Sequence, residues 1–429
     1  MDINQYTNNF FKYEVENDFF NEKAYDGLDY WDIVRHDVFY FLYEPYKEIG
    51  KVSDSSKNNL SKLASVKTLL KLLFSKNKYI FFKASRNNGK DIISKSYLQL
   101  LNDVIEIESI YIPNSNYLSI PNLYKFFSKK DEKYKIANLL SKKFGINEID
   151  INRFIHSRIT KFKNDYFFYK LLFKLSKPKI IFMVQNGIQK AMFKAANELV
   201  IPIIELQHGY IGYVHPAYSY PENIDIKLIK PFLPKYFFAF SDFWTQNSFY
   251  PVEKVTLGCS FLEFEQVTIK SEDIVIVSAN IYHDFLKKIA LNIAPIFKDK
   301  KIYYKLHPNQ FHHYQNIIDE FSQYHNIQVI SNEISINDLF LKCDSTVIIQ
   351  STATYEALQN KVNVYLYKVA DYETHQDVFE YVDLFDTSDD LIKLIQENQN
   401  TKSVKDTPTF FEPFNKDKFL QVLQEIESK

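Results

Sequence analysis

The sequence predicts an α/β fold of two doubly wound, Rossmann-like domains facing across a cleft, and three observations carry that prediction. Short apolar runs alternate with helix-patterned stretches, the signature of parallel βαβ units. The alternation runs through one series and then restarts. At 429 residues the chain exceeds what one core usually serves, so two domains of roughly 150 to 230 residues are expected.

The first series comprises KYIFFKAS (78–85), DVIEIES (103–109), KIIFMVQ (179–185), IPIIELQ (201–207) and KYFFAFS (235–241). Short, nearly continuous apolar runs of this kind suit strands buried on both faces. Between two of them GIQKAMFKAANELV (187–200) is apolar at helical spacing. The second series is DIVIVSA (273–279), KIYYKLHP (301–308), IQVISN (327–332), STVIIQS (345–351) and VNVYLYK (362–368). The stretch EKVTLGCSFLEFEQVTIKSED reads as the crossing segment, with a boundary near 258–272. The expected division is an N-terminal domain with a helical start, residues 1–262, and a C-terminal domain, residues 263–429. Strand ends of both sheets then open into the cleft.

Composition removes several classes. Lys+Arg of 52 against Asp+Glu of 53 leaves a net charge of -1, which takes away the electrostatic case for a nucleic-acid binder. Any anion it binds is held locally. Cys259 and Cys343 have neither metal-type spacing nor a CxxC partner, which argues against a zinc site or a disulfide framework and suits a reducing cytoplasm. The start, MDINQYTNNFFKYEVEND, lacks the basic and apolar regions of a secretory signal. No segment approaches about 18 uninterrupted apolar residues, the rough minimum for a spanning helix.

Three strand ends carry candidate chemistry. IPIIELQ runs into His208 and Gly209, where Asn or Asp before Gly would make a better turn. The histidine therefore needs its own explanation, and an imidazole, whose ordinary pKa lies near neutrality, can serve as a general acid or base. The bland alternative is a histidine that braces its loop. Glu205 is the competing base, although strand alternation puts residues three apart on opposite faces. In the second half KIYYKL runs into His307 and Pro308, and STVIIQ runs into Ser351 and Thr352, each followed by a helix pattern with Glu356 in the second. Strand-to-helix junctions of an open sheet favour anions. His307, Ser351 and Thr352 are thus candidates for a donor phosphate, Glu356 for ribose hydroxyls and Ser278, at the end of DIVIVS, for the same donor. Helix capping for the hydroxyl residues and an ordinary loop role for His307 are the plain alternatives.

The pairing of KLHP with STATYEAL, 44 positions after His307 (351 − 307), resembles the His-Pro and Ser/Thr motifs of bacterial capsule and lipopolysaccharide glycosyltransferases of GT-B fold. Related motifs occur in bacterial sialyltransferases and in CDP-glycerol glycerophosphotransferases. ANELVIPIIELQHGYIGYVHPAYSYP is similar to the His-Gly region of capsule-type members, and the resemblance spans about residues 180–365. It implies that His307, Pro308, Ser351 and Thr352 contact a CMP- or UDP-linked sugar donor. His208 and Gly209 then face a glycan or lipid-linked glycan acceptor. The sequence lacks the DSGG stretch of the sugar-nucleotide 2-epimerases, and HGYIG with QSTA departs from the phosphotransferase pattern.

No DxD-type pair stands at a strand end and no His pair has ligand spacing, so neither metal nor cofactor is expected. Arg86, in SRNNGK, contacts an anionic acceptor or makes a salt bridge. The basic, aromatic stretch 157–179 is either a face resting on anionic lipid at the inner membrane or a domain helix with a solvated side. The function expected is transfer of a sugar to a surface glycan. A polyol-phosphate transferase and a non-catalytic nucleotide-binding partner in capsule assembly are the alternatives.

Overall fold

A computed structural model describes residues 2–43, 78–83, 92–108, 132–184, 189–246, 249–262, 269–279, 282–369, 371–397 and 407–429. The first sheet contains β1 (Tyr79–Lys83), β2 (Val104–Glu108), β3 (Ile180–Val184), β4 (Ile203–Leu206), β5 (Tyr236–Ala239) and β6 (Glu253–Thr256), in the order β2-β1-β3-β4-β5-β6. The second contains β7 (Ser271–Val277), β8 (Ile302–Lys305), β9 (Ile327–Ile330), β10 (Cys343–Ile348), β11 (Asn363–Tyr367) and β12 (Asp383–Phe385), in the order β12-β11-β10-β7-β8-β9. All neighbouring strands pair in parallel. This is the doubly wound pair of sheets the sequence predicts. Every expected strand forms, and β6 and β12 add an edge strand to each sheet. Those two escape the pattern because EKVT is largely exposed and DLF is three residues long; an edge strand needs no continuous apolar run.

Among the described residues, two α-helices precede β1. Helix α1 (Ile3–Glu16) is capped by the Asp2 carboxylate, which accepts the Asn4 N–H at 2.7 Å. It buries Ile3, Tyr6, Thr7, Phe10, Phe11 and Glu14, one helical face. Helix α2 (Trp31–Tyr43) supplies Trp31, Val34, Val38, Phe39 and Leu42 to the same core. The stretch 157–179 lies mostly within α3 (Glu148–Ser176), a 29-residue helix that buries Ile155, Ile159, Phe162, Tyr169 and Phe173. Many of its basic residues pair within the chain: Arg158 with Asp37 at 2.9 Å, Lys163 with Asp26 at 2.6 Å, Lys170 with Glu198 at 2.6 Å, and Lys161 with Asp165. Helix α4 (Lys190–Glu198) packs against α3.

The chain passes from the first sheet to the second between Thr256 and Ser271. It does not stay there. Helix α7 (Lys416–Ser428), counted after α5 (His283–Ile293) and α6 (Ala353–Gln359), returns to the first sheet and packs Phe419, Leu423 and Ile426 among Tyr79, Phe182 and Phe238. The expected 263–429 unit therefore departs from the packing at its end. The return is pinned where the Cys259 N–H donates to the Glu412 carbonyl at 2.7 Å. Gly258, at φ +88°, lets the two segments touch, since a Cβ there would fall 2.2 Å from the Pro413 carbonyl oxygen.

Candidate functional site

In the second sheet the chain winds from β7 through β8 to β9, then crosses to β10 on the other side of β7. The strand order reverses between β7 and β10, and ligands of open α/β sheets settle in the crevice at such a point. Ser278 ends β7, Thr352 follows β10 and His307 follows β8. His307 and Ser351 are thus not on adjacent strands. With neighbouring strands about 4.8 Å apart, the two junctions lie roughly 10 Å apart, the span of a diphosphate or of a phosphate and its ribose rather than of one phosphate.

His307 is exposed and caps the 3-10 turn Pro308–His313, with Pro308 at its first position. Its Nδ1 accepts the Asn309 N–H at 3.2 Å, and its own N–H donates to Gln310 Oε1 at 3.0 Å. An Nδ1 that accepts leaves the proton of the neutral ring on Nε2. The exposed ring therefore carries a donor fitted to a phosphate oxygen. Ser351 does what a capping residue does: its Oγ accepts the Ala353 N–H at 3.2 Å. Thr352 does not cap α6. Its Oγ1 instead accepts the Tyr210 N–H, from the first domain, at 3.2 Å. Glu356 is half-buried on α6 near the domain crossing, and its charge adds to burial in pushing the Cys259 thiol up to about 12.

Ser278 heads a chain of hydrogen bonds that runs through the second domain. It is buried, and its hydroxyl donates to Tyr304 Oη at 3.3 Å. The Tyr304 hydroxyl lies 2.9 Å from Nδ1 of His283, at the start of α5, and His283 Nε2 lies 3.1 Å from Glu320, which Lys287 also reaches at 3.1 Å. A carboxylate accepts only, so Nε2 carries the proton, Nδ1 accepts from Tyr304, and Tyr304 accepts from Ser278. The Ser278 proton is thus engaged on Tyr304, and only the acceptor capacity of its hydroxyl remains for any further group.

On the first domain His208 lies two residues beyond β4 and is half-buried. Gln207 sets the peptide after it: its side chain accepts the Phe240 N–H at 2.8 Å and donates to the Gly209 carbonyl at 3.0 Å. Gly209 serves a close approach and not a left-handed turn, because a Cβ there would fall 3.3 Å from Thr352 Oγ1. Glu205, the expected competing base, is 0% exposed and accepts from Tyr218 Oη at 2.5 Å and Tyr250 Oη at 2.8 Å. Placed on the opposite face of β4, it braces the 208–220 loop from inside, out of reach of an acceptor hydroxyl. His215 orders that loop by accepting the Ala217 N–H at Nδ1, 3.3 Å. Burial, helped by the nearby His36 and His208, holds its pKa well below the usual value. Arg86 lies outside the described residues. Among those residues no group of three or more His, Cys, Asp or Glu is arranged to hold a metal ion.

Several contributors carry no signal in the sequence. The Tyr210 ring meets Trp244, Tyr355 and His375 at centroid distances of 6.2, 6.0 and 5.4 Å. The Tyr355 hydroxyl donates to Asp377 at 2.8 Å and lies 3.1 Å from His375 Nδ1. Burial pushes the Asp377 carboxyl up to about 6. These side chains come from segments more than a hundred residues apart, so only the domain junction brings them together.

No protein-family model matches the sequence, and neither does any curated protein. Among solved structures, the UDP-GlcNAc 2-epimerase from Neisseria meningitidis bound to UDP-GlcNAc aligns with a TM-score of 0.50 at 15% identity, covering 81% of this chain and 99% of that one. MurG from Acinetobacter baumannii aligns with a TM-score of 0.48 at 14% identity, again over 81% and 99% of the two chains. The pneumococcal O-GlcNAc transferase GtfA in complex with UDP and GlcNAc aligns over 62% of this chain and 59% of its own, with a TM-score of 0.39 and 12% identity. At such identities the likeness is one of fold. That fold is GT-B.

Proposed function

We propose that this chain is a GT-B glycosyltransferase that moves a sugar from a CMP- or UDP-linked donor to a surface glycan acceptor in capsule or lipopolysaccharide synthesis. One observation carries the reading: the Tyr210 N–H meets Thr352 Oγ1 at 3.2 Å, which joins the His208 loop of the first domain to the crevice of the second. A histidine two residues from that contact is placed to serve the reacting bond. In this reading the donor's phosphates lie across the end of β7, between His307 Nε2–H and the Thr352 region, and Ser278 accepts from the sugar or ribose. His208 takes the proton of the acceptor hydroxyl as its oxygen attacks the anomeric carbon, and the nucleotide leaves with the bonding electrons. Fixed donors neutralise the charge that develops on the leaving phosphate without a bound metal. The UDP-GlcNAc bound to the Neisseria meningitidis 2-epimerase makes that compound the first donor to try.

The test is nucleotide release without acceptor, over UDP-, CMP- and CDP-linked compounds, with product sugars identified. Release from a UDP- or CMP-sugar is the expected result. Release confined to a CDP-polyol would make the chain a phosphotransferase. A 2-epimerised sugar would make it an epimerase, and no turnover of any kind would leave a binding partner.

We place this activity in the cytoplasm against the inner membrane. Phe167, Leu171 and Leu175 are 54%, 47% and 55% exposed along one stripe of α3, with Lys174 and Lys177 exposed beside them. Apolar side chains flanked by lysines suit an anionic bilayer, where a lipid-linked acceptor is found. Co-sedimentation with anionic but not neutral vesicles, lost in Leu171→Asp, is the expected outcome; equal pelleting with both would remove the membrane from the reading.

A further inference from the structure

We propose that Arg35, held by Glu14, is the positioning residue of the 208–220 loop, and that α1 and α2 tie this loop to the 371–378 segment of the second domain. The inference rests on the reading of His208 as the acid–base group. Arg35 is 1% exposed and Glu14 0%. The guanidinium uses one edge on Glu14, with Nε 2.8 Å from Oε2 and Nη2 2.8 Å from Oε1. Trp31 Nε1 donates to the same carboxylate at 2.8 Å, so Glu14 cannot swing away. The other edge reaches the catalytic loop. Nη1 donates to the Pro216 carbonyl at 2.5 Å and to the Ser219 carbonyl at 3.0 Å, while the rings of Phe11 and Tyr220 lie 4.7 and 4.8 Å from the guanidinium carbon. A second clasp lies alongside. Asp32 of α2 accepts from Lys190 at 2.9 Å and from Tyr220 Oη at 2.9 Å, fixing the end of the loop.

The same two helices hold the second domain by their other ends. Asn4 Nδ2 donates to the Glu373 carbonyl at 3.0 Å and to Gln376 Oε1 at 2.7 Å, and the Tyr43 hydroxyl donates to Asp371. Between Asp371 and Gln376 sits His375, whose ring meets Tyr210. The contacts close a ring: the helix pair grips the loop through Arg35, the loop meets His375 through Tyr210, and the segment bearing His375 is bonded back to the helix pair. Stability alone is a weak reason for a buried Arg–Glu pair, since apolar replacements of similar volume are often neutral or better. A planar guanidinium fixed on Glu14 by Nε and Nη2 aims Nη1 at the two carbonyls and so gives orientation, which an apolar side chain cannot. The contacts thereby link the order of the 371–378 segment to that of the backbone that presents His208.

The double variant Arg35→Met with Glu14→Gln leaves no charge unpaired and keeps an acceptor for Trp31, while freeing the two carbonyls. Amide exchange in residues 209–220 should then quicken by about 10-fold or more with β3 and β4 unchanged, because local opening costs less than global unfolding. Asn4→Ala touches only the second domain's segment, yet should quicken exchange in both 372–378 and 209–220. Turnover should fall roughly 10- to 100-fold with the donor KM held within about twofold, the mark of a misplaced group rather than a lost binding contact. Unchanged exchange in 209–220 in the Asn4 variant, which retains the whole core, would overturn the coupling. Unchanged exchange in the double variant, or normal turnover with it, would overturn the role of Arg35. If the double variant does not fold, Arg35→Lys, which keeps the charge and loses the fork, decides the same question. Exchange is read without substrate, so a wild type inactive on every donor would count against the glycosyltransferase reading and leave the brace to be judged on exchange.

Discussion

Replacing Asp377 by Asn should stabilise the protein at neutral pH and leave it unchanged near pH 4. Burial raises this carboxyl from its ordinary 3.8 to about 6, and the hydrogen bond from Tyr355 at 2.8 Å offsets only part of that. The native state thus keeps a proton that the unfolded chain has already lost between those two values. Stability falls as pH rises through that window, and the penalty is complete above about 6. At about 1.36 kcal/mol for each pH unit, the cost at pH 7.5 is at most roughly 3 kcal/mol. Asn keeps an oxygen to accept from Tyr355 and carries no charge to desolvate, so it recovers most of this. For a domain of this size each kcal/mol moves the melting temperature by about 2–4 °C. Calorimetric melts of both proteins should therefore differ by several degrees at pH 7.5 and coincide at pH 4. A constant difference at both values, or a lower melting temperature for Asn at pH 7.5, would refute the burial argument. Tyr355, which donates to Asp377, also lies 3.1 Å from His375, whose ring meets Tyr210.

His307→Ala should weaken nucleotide binding by about 1.5–3 kcal/mol, the range for a hydrogen bond to a charged group, and isothermal calorimetry on the folded variant checks it. Thr352→Val should weaken binding more than Ser351→Ala, because the Ser351 hydroxyl is committed to its own helix start; the reverse order would return Thr352 to a structural role. His208→Ala should cut turnover by roughly 10²–10⁴ while nucleotide affinity stays put, a separation that a loop brace would not produce. Chelation with EDTA should leave transfer intact, and loss of activity restored by Mg²⁺ or Mn²⁺ would reopen the acidic residues as ligands.

Strands were legible wherever they are buried on both faces, as in IIFMV and IVIV, because apolar content alone marks them. Two of the four edge strands were not: EKVT is too polar and DLF too short to leave an apolar run. His208, His307 and Thr352 could be picked out as strand-end residues from their local context. Ser278 could be picked out too, but its hydroxyl's polarity could not, since that depends on Tyr304, His283 and Glu320 aligning in space. Glu205 shows the same gap: alternation put it on the face away from His208, yet only Tyr218 and Tyr250 reveal it as a buried brace.

The sequence by itself determined the two parallel sheets and which strand ends carry polar residues. These are properties of short windows, set by periodicity and by residues adjacent in the chain. The tertiary structure alone decided that β7 separates the His307 and Ser351 junctions, that α7 returns to the first sheet, that Thr352 reaches Tyr210, and that Arg35 holds the loop beginning at His208. Each of these depends on groups distant in the chain meeting within hydrogen-bond or packing distance, as Tyr210 and Thr352 do 142 residues apart and Arg35 and Pro216 do 181 apart. No local pattern encodes such a meeting, because it is fixed by how the faces of the sheets and helices pack, and packing is a property of the whole chain.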